Sequence, residues 1–321
     1  MALAVLAGMA LAACGGGSNS AGTTATATTT TATAASAPPA QHSPIATTAA
    51  DWKAVADTLG RTGKLGDKDT TYRIALPRTD LAVVTDGVPI NPGLSLGGYA
   101  VFAKYDDGVM LMGDLVVTEA ELAHVTDALQ AHGIAQTALH KHLLEQTPPV
   151  WWTHIHAMGD PTQLAQGLKA ALDATAIPPA AAPPAQQPAV DLDTAGIEAA
   201  LGRKGTADSG IYKFSLARKD TIADDGHLVP PGFGVTTGIN FQPVGAGRAA
   251  INGDLVMTAP EVQNVIGALR KGGIAIVEVH NHSLTDNPRL FYLHFWAVQE
   301  GVTLAKTLRT ALDATNLQPA G

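Results

Sequence analysis

Short runs of alternating apolar and polar residues follow one another along the chain, and this period of two predicts β-strands separated by helices. In the first half, the predicted strands are 72–76, 82–85, 99–104, 109–117, 134–142 and 150–157. Helices are predicted at 52–59, from Thr118 to about His132, and near 161–175. The turn signal at 106–108, Asp-Asp-Gly, predicts that the strands on either side of it form a hairpin.

Helix boundary signals support the same order of elements in both halves of the chain. Thr118 and Glu121 form a capping box that opens a helix, and Gly133 ends it. The same signals recur at Thr258 and Glu261. The combined pattern predicts an α+β fold with a mainly antiparallel sheet and helices packed on one side.

The second half repeats the first at an offset of 140 residues. Residues 110–142 align without gaps to 250–282, with 14 identical residues at 33 positions. The period is far longer than the roughly 20–50 residues of a stacking repeat, so each copy is a domain. We predict two tandem copies of one domain, at 50–177 and 191–319.

Two stretches outside these domains lack the residues for a packed core. Residues 178–190 are rich in Pro and Ala and are typical of an extended linker. Residues 14–49 are rich in Thr and Ala and predict a disordered tether. Residues 1–13 are apolar but shorter than the ~20 residues that cross a bilayer, so they predict a signal peptide.

Composition narrows the function classes. The net charge is −8 and no cluster of Lys or Arg is present, which argues against nucleic-acid binding. The apolar fraction of 46% is sufficient for real cores. No phosphate-binding loop and no Gly-x-Ser-x-Gly motif occurs, so no nucleotide cofactor is expected.

Histidines recur at matched positions of the two copies, in a His-x-His pair followed by a third histidine. The matched pairs are His140 and His280, His142 and His282, and His154 and His294. The first copy adds His156, which aligns with Trp296. Because side chains on a strand alternate between faces, His280 and His282 share one face, about 6.6 Å apart along the strand.

The pattern also predicts how the two strands of the histidine hairpin pair. A hairpin centred on Asn287 sets His294 opposite His280, Tyr292 opposite His282 and Trp296 opposite Glu278. The other face is a core face by composition and holds Val277, Val279, Phe291, Leu293 and Phe295. The histidine face is therefore predicted to be a separate polar surface or pocket.

Three imidazoles at short range are a natural site for Zn²⁺, Cu²⁺, Ni²⁺ or Fe²⁺, with one coordination position left open. The predicted metal ligands are His140, His142, His154, His156, His280, His282, His294 and Glu278. The loop residues Glu145 and Asp286 are alternative ligands or general bases. A hydrogen-bonded or solvated histidine face is the competing interpretation. Asp114 and Asp254 are expected to be turn or sheet-end residues rather than catalytic acids.

Several motifs together resemble a known family. Leu11-Ala12-Ala13-Cys14 resembles a lipobox, and the second copy carries His-Asn-His at 280–282, Pro-Arg at 288–289 and His-Phe-Trp at 294–296. With the duplicated domain, these motifs resemble the LppY/LpqO family of bacterial lipoproteins. The resemblance implies a lipid on Cys14 and a location in the cell envelope, on the periplasmic or extracellular face, and it implies no activity.

The resulting prediction is a lipid-anchored envelope protein whose histidine hairpins bind a transition metal or a small ligand. One alternative is a metal-dependent hydrolase or oxidase that uses the open metal position. Another is a structural or interaction lipoprotein without metal, which presents its domains to cell-wall polymer or a partner. The expected contact with the membrane is the N-terminal lipid, and the sequence leaves open whether the protein is an enzyme.

Overall fold

The computed structural model describes residues 42–182 and 186–319. The helices of the first domain are α1 (Lys53–Leu59), α2 (Pro92–Ser95), α3 (Glu119–Ala131) and α4 (Pro161–Asp173). Its strands are β1 (Lys64–Gly66), β2 (Thr71–Pro77), β3 (Val84–Thr85), β4 (Val88–Pro89), β5 (Gly97–Lys104), β6 (Val109–Thr118), β7 (Ala135–His140) and β8 (Val150–Gly159).

The second domain repeats this arrangement. Its helices are α5 (Thr194–Leu201), α6 (Ala259–Lys271) and α7 (Gly301–Leu312), with a 3₁₀ turn at Pro231–Phe233. Its strands are β9 (Thr206–Asp208), β10 (Ile211–Leu216), β11 (Ala223–Asp224), β12 (His227–Leu228), β13 (Thr237–Pro243), β14 (Arg248–Thr258), β15 (Ala275–His280), β16 (Asp286–Asn287) and β17 (Leu290–Glu300).

Each domain contains one six-stranded sheet, and the two sheets have the same strand order. The order is β1-β2-β5-β6-β8-β7 in the first domain and β9-β10-β13-β14-β17-β15 in the second. All neighbouring strands in both sheets are antiparallel. The predicted α+β class and the tandem duplication are therefore confirmed.

Helices cover one face of each sheet, as predicted. In the first domain, Leu111 and Ile155 from the sheet pack with Val125 of α3 and Leu168 of α4, all fully buried. Burial of such a side chain contributes about 1.5–3 kcal/mol relative to exposure. Helix α3 begins as the capping box predicts, because the Thr118 backbone N–H donates to the Glu121 carboxylate at 2.8 Å.

A buried arginine joins the capping-box glutamate to the sheet in each domain. Arg78 is 1% exposed and donates to Glu121 at 2.7 Å and to the Val116 carbonyl at 3.0 Å. In the second domain, Arg218 donates to Glu261 at 2.8 Å and to the Val256 carbonyl at 2.9 Å. Each glutamate pairs with a buried arginine in the same way, so this ion pair is a structural feature that the two domains share.

The faces without long helices meet each other. Val116 and Trp152 of the first domain share a buried cluster with Ile211, Ala250 and Trp296 of the second domain. The short helix α2 lies over strands β13 and β14 of the second sheet. Because the histidines lie on these same faces, the predicted polar surface is an interface between the two domains.

The predicted pairing of the histidine hairpin is wrong by two residues. Strand β17 places His294 opposite Glu278 and Tyr292 opposite His280. A shift of two residues keeps every side chain on its face, so the histidines still share one face. A β-bulge between Ile276 and Glu278 interrupts the register.

The bulge also changes the predicted core face. Leu293 and Phe295 lie in the core beneath the helices, as expected. Val277 packs instead against the cluster shared with the first domain, and Val279 is 40% exposed. The expected five-residue core face is therefore wrong at these two positions. Val277 lies at the bulge and points to the other face, whereas Val279 lies opposite Leu293 but on the edge strand of the sheet.

Several predictions concern the N-terminal region and the linker. The signal peptide, Cys14 and residues 15–41 of the predicted tether lie outside the described residues, as do residues 183–185 of the predicted linker. Residues 42–49, assigned to the tether, instead contact the folded part: the Ile45 N–H donates to the Lys104 carbonyl at 2.8 Å. Among the described residues, none of the helices has the length and apolarity needed to span a membrane.

Candidate metal centre

The histidine positions shared by the two copies converge between the domains. We call this group the histidine centre, and its members are His140, His142, His154, His280, His282 and His294. Five of its ring contacts join one domain to the other, and the three shortest each pair one histidine from each domain. His140 stacks on His280 with ring centroids 3.9 Å apart.

The other two short ring contacts pair the remaining histidines across the interface between the domains. His142 approaches His294 with centroids 3.8 Å apart, and His154 stacks on His282 at 3.7 Å. Each His-x-His pair is thus completed by the third histidine of the other domain. The sequence predicts the members of each triplet, but it does not predict that the two triplets meet.

Sheet register explains why these side chains point inward. His154 on β8 lies directly opposite Asp114 on β6, and His294 on β17 lies opposite Asp254 on β14. Cross-strand neighbours share a face, so each domain presents a histidine and an aspartate to its partner domain. The first histidine of each His-x-His pair is the last residue of β7 or β15, and it therefore lies beside the histidine of the neighbouring strand β8 or β17.

Ligand-forming atoms approach closely in several combinations. One group contains His140, His142 and His294, with atoms that lie within 4.8 Å of one another. A second contains His140, His154 and His280 within the same limit. A third contains Asp254 with His280 and His282. These spacings suit shared coordination of one ion by several side chains.

Backbone carbonyls hold the outer imidazoles in one orientation. The Nδ1 atom of His294 lies 2.7 Å from the Gly253 carbonyl, and that of His282 lies 3.1 Å from the Gly234 carbonyl. A carbonyl only accepts hydrogen bonds, so Nδ1 carries the proton and Nε2 keeps its lone pair. This arrangement is the usual support for a histidine that binds a metal through Nε2.

Several of these nitrogens are buried without a hydrogen-bond partner in the described part of the chain. They are Nε2 of His154, His282 and His294, Nδ1 of His140, and both ring nitrogens of His280. A buried polar atom without a partner costs free energy, so such atoms are rare in folded proteins. Here they are grouped in one place, which is the arrangement of ligands around an ion.

Two aspartates belong to the centre, although the sequence analysis expected turn or sheet-end residues. Asp114 and Asp254 lie within strands β6 and β14 instead. His142 Nε2 lies 3.5 Å from Asp114, and His282 Nε2 lies 3.1 Å from Asp254. Their repeated Gly-Asp sequence at an offset of 140 is the signal that could have identified them.

Burial controls the protonation of the centre. Burial lowers the pKa of all six histidines, and it lowers that of His282 to about 3. Neighbouring imidazoles lower the pKa of His140 further. Burial raises the pKa of Asp254 to about 6 and that of Asp114 well above its usual value. The imidazoles are therefore neutral near pH 7, the form that coordinates metals.

A cavity of about 530 Å³ leads to the centre. Four of the histidines and both aspartates line it, together with Arg73 and Lys213. Its wall also includes Ser215 and Pro231, which are exposed. The cavity therefore supplies a path by which an ion or small molecule can reach the buried nitrogens.

Two of the eight predicted ligands lie outside the centre. His156 lies on β8, two residues after His154, and its Nε2 is 3.4 Å from Asp224 of the second domain. Glu278 accepts the backbone N–H of Lys141 at 2.7 Å, which ties the two hairpins together.

The alternative loop ligands are also placed elsewhere. Glu145 is exposed, and Asp286 accepts from Arg289 at 2.7 Å. Asp286 also accepts the backbone N–H of Leu290, which closes its own loop at 2.9 Å. Both acids therefore serve the loops rather than the histidine centre.

A family comparison covers most of the chain. The family described as Domain of Unknown Function (DUF1259) matches it in two copies, at residues 53–174 and 195–314. The chain belongs to this family. A search of curated proteins finds no match.

Three solved structures show weak similarity to the chain. The trimeric bacterial microcompartment shell protein PduB has 11% identity, a TM-score of 0.21, and coverage of 81% of this chain and 98% of PduB. EtuB from Clostridium kluyveri has 9% identity, a TM-score of 0.18, and coverage of 79% and 90%. The double-ringed trimeric shell protein MSM0271 of the RMM microcompartment has 14% identity, a TM-score of 0.19, and coverage of 65% and 84%.

These comparisons correct the predicted identity. The matching family is described only as a domain of unknown function, and not as the lipoprotein family predicted from the motifs. The predicted LppY/LpqO assignment is therefore corrected to this family, and the expectations of a lipid anchor, a membrane partner and an envelope location, which rested on that assignment, lose their basis. The predicted function falls with them as far as it concerns a lipid-anchored envelope protein, and so do its alternatives of a metal-dependent hydrolase or oxidase and of a structural lipoprotein. TM-scores near 0.2 do not assign a shell role to the chain either.

Proposed function

We propose that this protein binds a first-row transition-metal ion at the histidine centre between its two domains. The observation that carries the proposal is the convergence of buried imidazole nitrogens that have no hydrogen-bond partner among the described residues. An ion supplies a partner to several of them at once. The backbone carbonyls of Gly253 and Gly234 support this role, because they direct Nε2 of His294 and His282 away from the backbone.

The donor atoms define the class of ion. Imidazole nitrogen suits Zn²⁺, Cu²⁺, Ni²⁺ and Fe²⁺, whereas Ca²⁺ and Mg²⁺ prefer a shell of oxygen atoms. Asp114 and Asp254 add one carboxylate from each domain at the edge of the centre. A mainly nitrogen site with two carboxylates therefore favours a transition metal over the hard divalent cations.

Two of the three ligand groups take their side chains from both domains. The group of His140, His142 and His294 takes two ligands from the first domain and one from the second. Binding of an ion there favours the state in which the two sheets are packed together, because neither separated domain holds all three of these ligands. Metal binding is therefore coupled to the association of the two domains.

The direct test is the metal content of the purified full chain and its Zn²⁺ affinity after chelation. We expect wild type to bind metal, and we expect His142→Ala and His282→Ala each to weaken binding by about 10–100-fold or more. These variants remove one ligand from each domain and leave the other copy intact. His124→Ala is the matched control, since this histidine is exposed on α3.

Two results would overturn the proposal. One is a chelated wild-type chain that takes up none of Zn²⁺, Cu²⁺, Ni²⁺ or Fe²⁺ in calorimetric titration. The other is unchanged affinity in both ligand variants while their circular dichroism matches wild type. In either case the centre is a neutral histidine network rather than a metal site.

A further inference from the structure

A second group of metal-ligating side chains lies outside the histidine centre. We call it the peripheral cluster, and it consists of His42, Asp106, Asp107 and His227. Its members come from the N-terminal segment, the turn between β5 and β6, and strand β12 of the second domain. Backbone hydrogen bonds hold the segment in place, since Leu228 N–H donates to the His42 carbonyl at 2.9 Å.

The distances in this cluster bring two imidazoles onto one carboxylate. His227 Nε2 lies 3.1 Å from both carboxylate oxygens of Asp107. His42 Nε2 lies 3.7 Å from Oδ2 of the same side chain. The two imidazole rings stack with centroids 4.6 Å apart. Two nitrogens and one carboxylate therefore surround a single point in space.

The other nitrogen of each ring shows which atom is free to bind an ion. His227 Nδ1 lies 3.0 Å from the Asp225 carbonyl, and His42 Nδ1 lies 2.6 Å from Asp106. Both partners are acceptors, so Nδ1 carries the proton and Nε2 of the neutral ring presents a lone pair. The contact of Asp106 with His42 is the carboxylate–histidine arrangement that supports metal ligands.

In neutral rings, the Nε2 lone pairs face the Asp107 carboxylate without a proton between them. We propose that a divalent transition-metal ion such as Zn²⁺ binds here, held by His42, His227 and Asp107. The side chains of His42 and Asp107 are 26% and 43% exposed, so water completes the coordination shell. The competing arrangement is a protonated His227 paired with Asp107, without metal.

The peripheral ion joins three parts of the chain and therefore acts as a structural clamp. It connects the N-terminal segment to the first domain through Asp107 and to the second domain through His227. Tyr105 backs the site, because its ring packs edge-on against His227 at 4.8 Å and its hydroxyl donates to the Leu228 carbonyl. An ion that binds this assembled state raises the melting temperature of the full chain.

The test is a Zn²⁺ titration of the chelated full chain by calorimetry, with thermal melting followed in parallel. Wild type is expected to bind one more equivalent of Zn²⁺ than either Asp107→Asn or His42→Gln. The increase in melting temperature caused by Zn²⁺ is expected to be smaller in both variants. Asp127→Asn is the matched control, because this aspartate is exposed on α3.

Equal stoichiometry and equal thermal protection in wild type and both variants would overturn the clamp and leave the His227–Asp107 ion pair as the explanation. The outcome is independent of the histidine centre. Loss of an equivalent in His282→Ala, with retention of the equivalent that depends on Asp107, supports both sites. Retention of that equivalent in a chain that binds no metal at the histidine centre would support the clamp alone.

Discussion

The two domains contribute the same groups to the histidine centre but differ beside it. Asp114 with His154 in the first domain corresponds to Asp254 with His294 in the second, with the same cross-strand pairing. Two residues further along the same strands, the correspondence ends: His156 of the first domain aligns with Trp296 of the second. The two copies are therefore equivalent at the centre and distinct at its border.

The two residues that differ, His156 and Trp296, still make similar contacts across the interface between the domains. His156 lies 3.4 Å from Asp224, and Trp296 Nε1 donates to Asp86 at 2.5 Å. Each side chain thus reaches an acid of the opposite domain. The peripheral cluster differs more strongly, because Val88 occupies the position of His227, directly after the matched Asp-Gly turns at 86–87 and 225–226, and the turn at 244–247 has no acid in the place of Asp107. The histidine centre is therefore duplicated, whereas the residues beside it differ between the two copies.

The largest effect is expected from acidification of the metal-free chain. A histidine whose pKa is lower in the folded chain than in the unfolded chain destabilises the fold as pH falls below about 6.5. Each contributes up to about 1.4 kcal/mol per pH unit. The raised pKa values of Asp114 and Asp254 act in the opposite direction between their folded and unfolded values, but the six histidines outnumber these two carboxyl groups.

Denaturant unfolding of the metal-free chain at about pH 7.5 and pH 5.5 measures this loss. We expect replacement of the three centre histidines of either domain by glutamine to reduce the pH dependence by a similar amount. A pH dependence carried by one domain alone would break the equivalence of the two copies at the centre.

The buried arginines test whether the frameworks of the two domains are equivalent. Arg78→Ala and Arg218→Ala each remove a buried side chain and leave a partly buried glutamate without its partner, and we expect each to lower the free energy of unfolding by about 3 kcal/mol. Chemical denaturation measures the loss, and Lys271→Ala is an exposed control. Losses below about 1 kcal/mol for either arginine would show that its pair is not a structural element.

The smallest effect is expected at the border residue His156. His156→Ala removes the contact with Asp224 and is expected to lower the free energy of unfolding by about 1 kcal/mol. Metal content is expected to remain that of wild type, because the side chain lies outside the histidine centre. A loss of metal in this variant would return His156 to the ligand set predicted from the sequence.

Much of the fold follows from local signals. The capping box at Thr118 and Glu121, the turn at Asp106–Gly108 and the apolar run along β6 all predicted elements that the structure contains. The hairpin register was predicted incorrectly, because the loop between β15 and β17 is not centred on Asn287, and the pairs next to the loop are already shifted by two residues. Side-chain periodicity specifies the face of a strand, but it does not specify which strand lies opposite.

The candidate site was also predictable from the sequence only in part. The alternation of residues on β7, β8, β15 and β17 is enough to place four of the centre histidines, His140, His154, His280 and His294, on one face of each sheet, and the repeat at 140 residues is enough to pair all six between copies. The approach of His140 to His280, the inclusion of Asp114 and Asp254, and the peripheral cluster depend on packing between the two sheets. Contacts between residues far apart in the chain are set by which faces bury each other, and local periodicity carries no information about that choice.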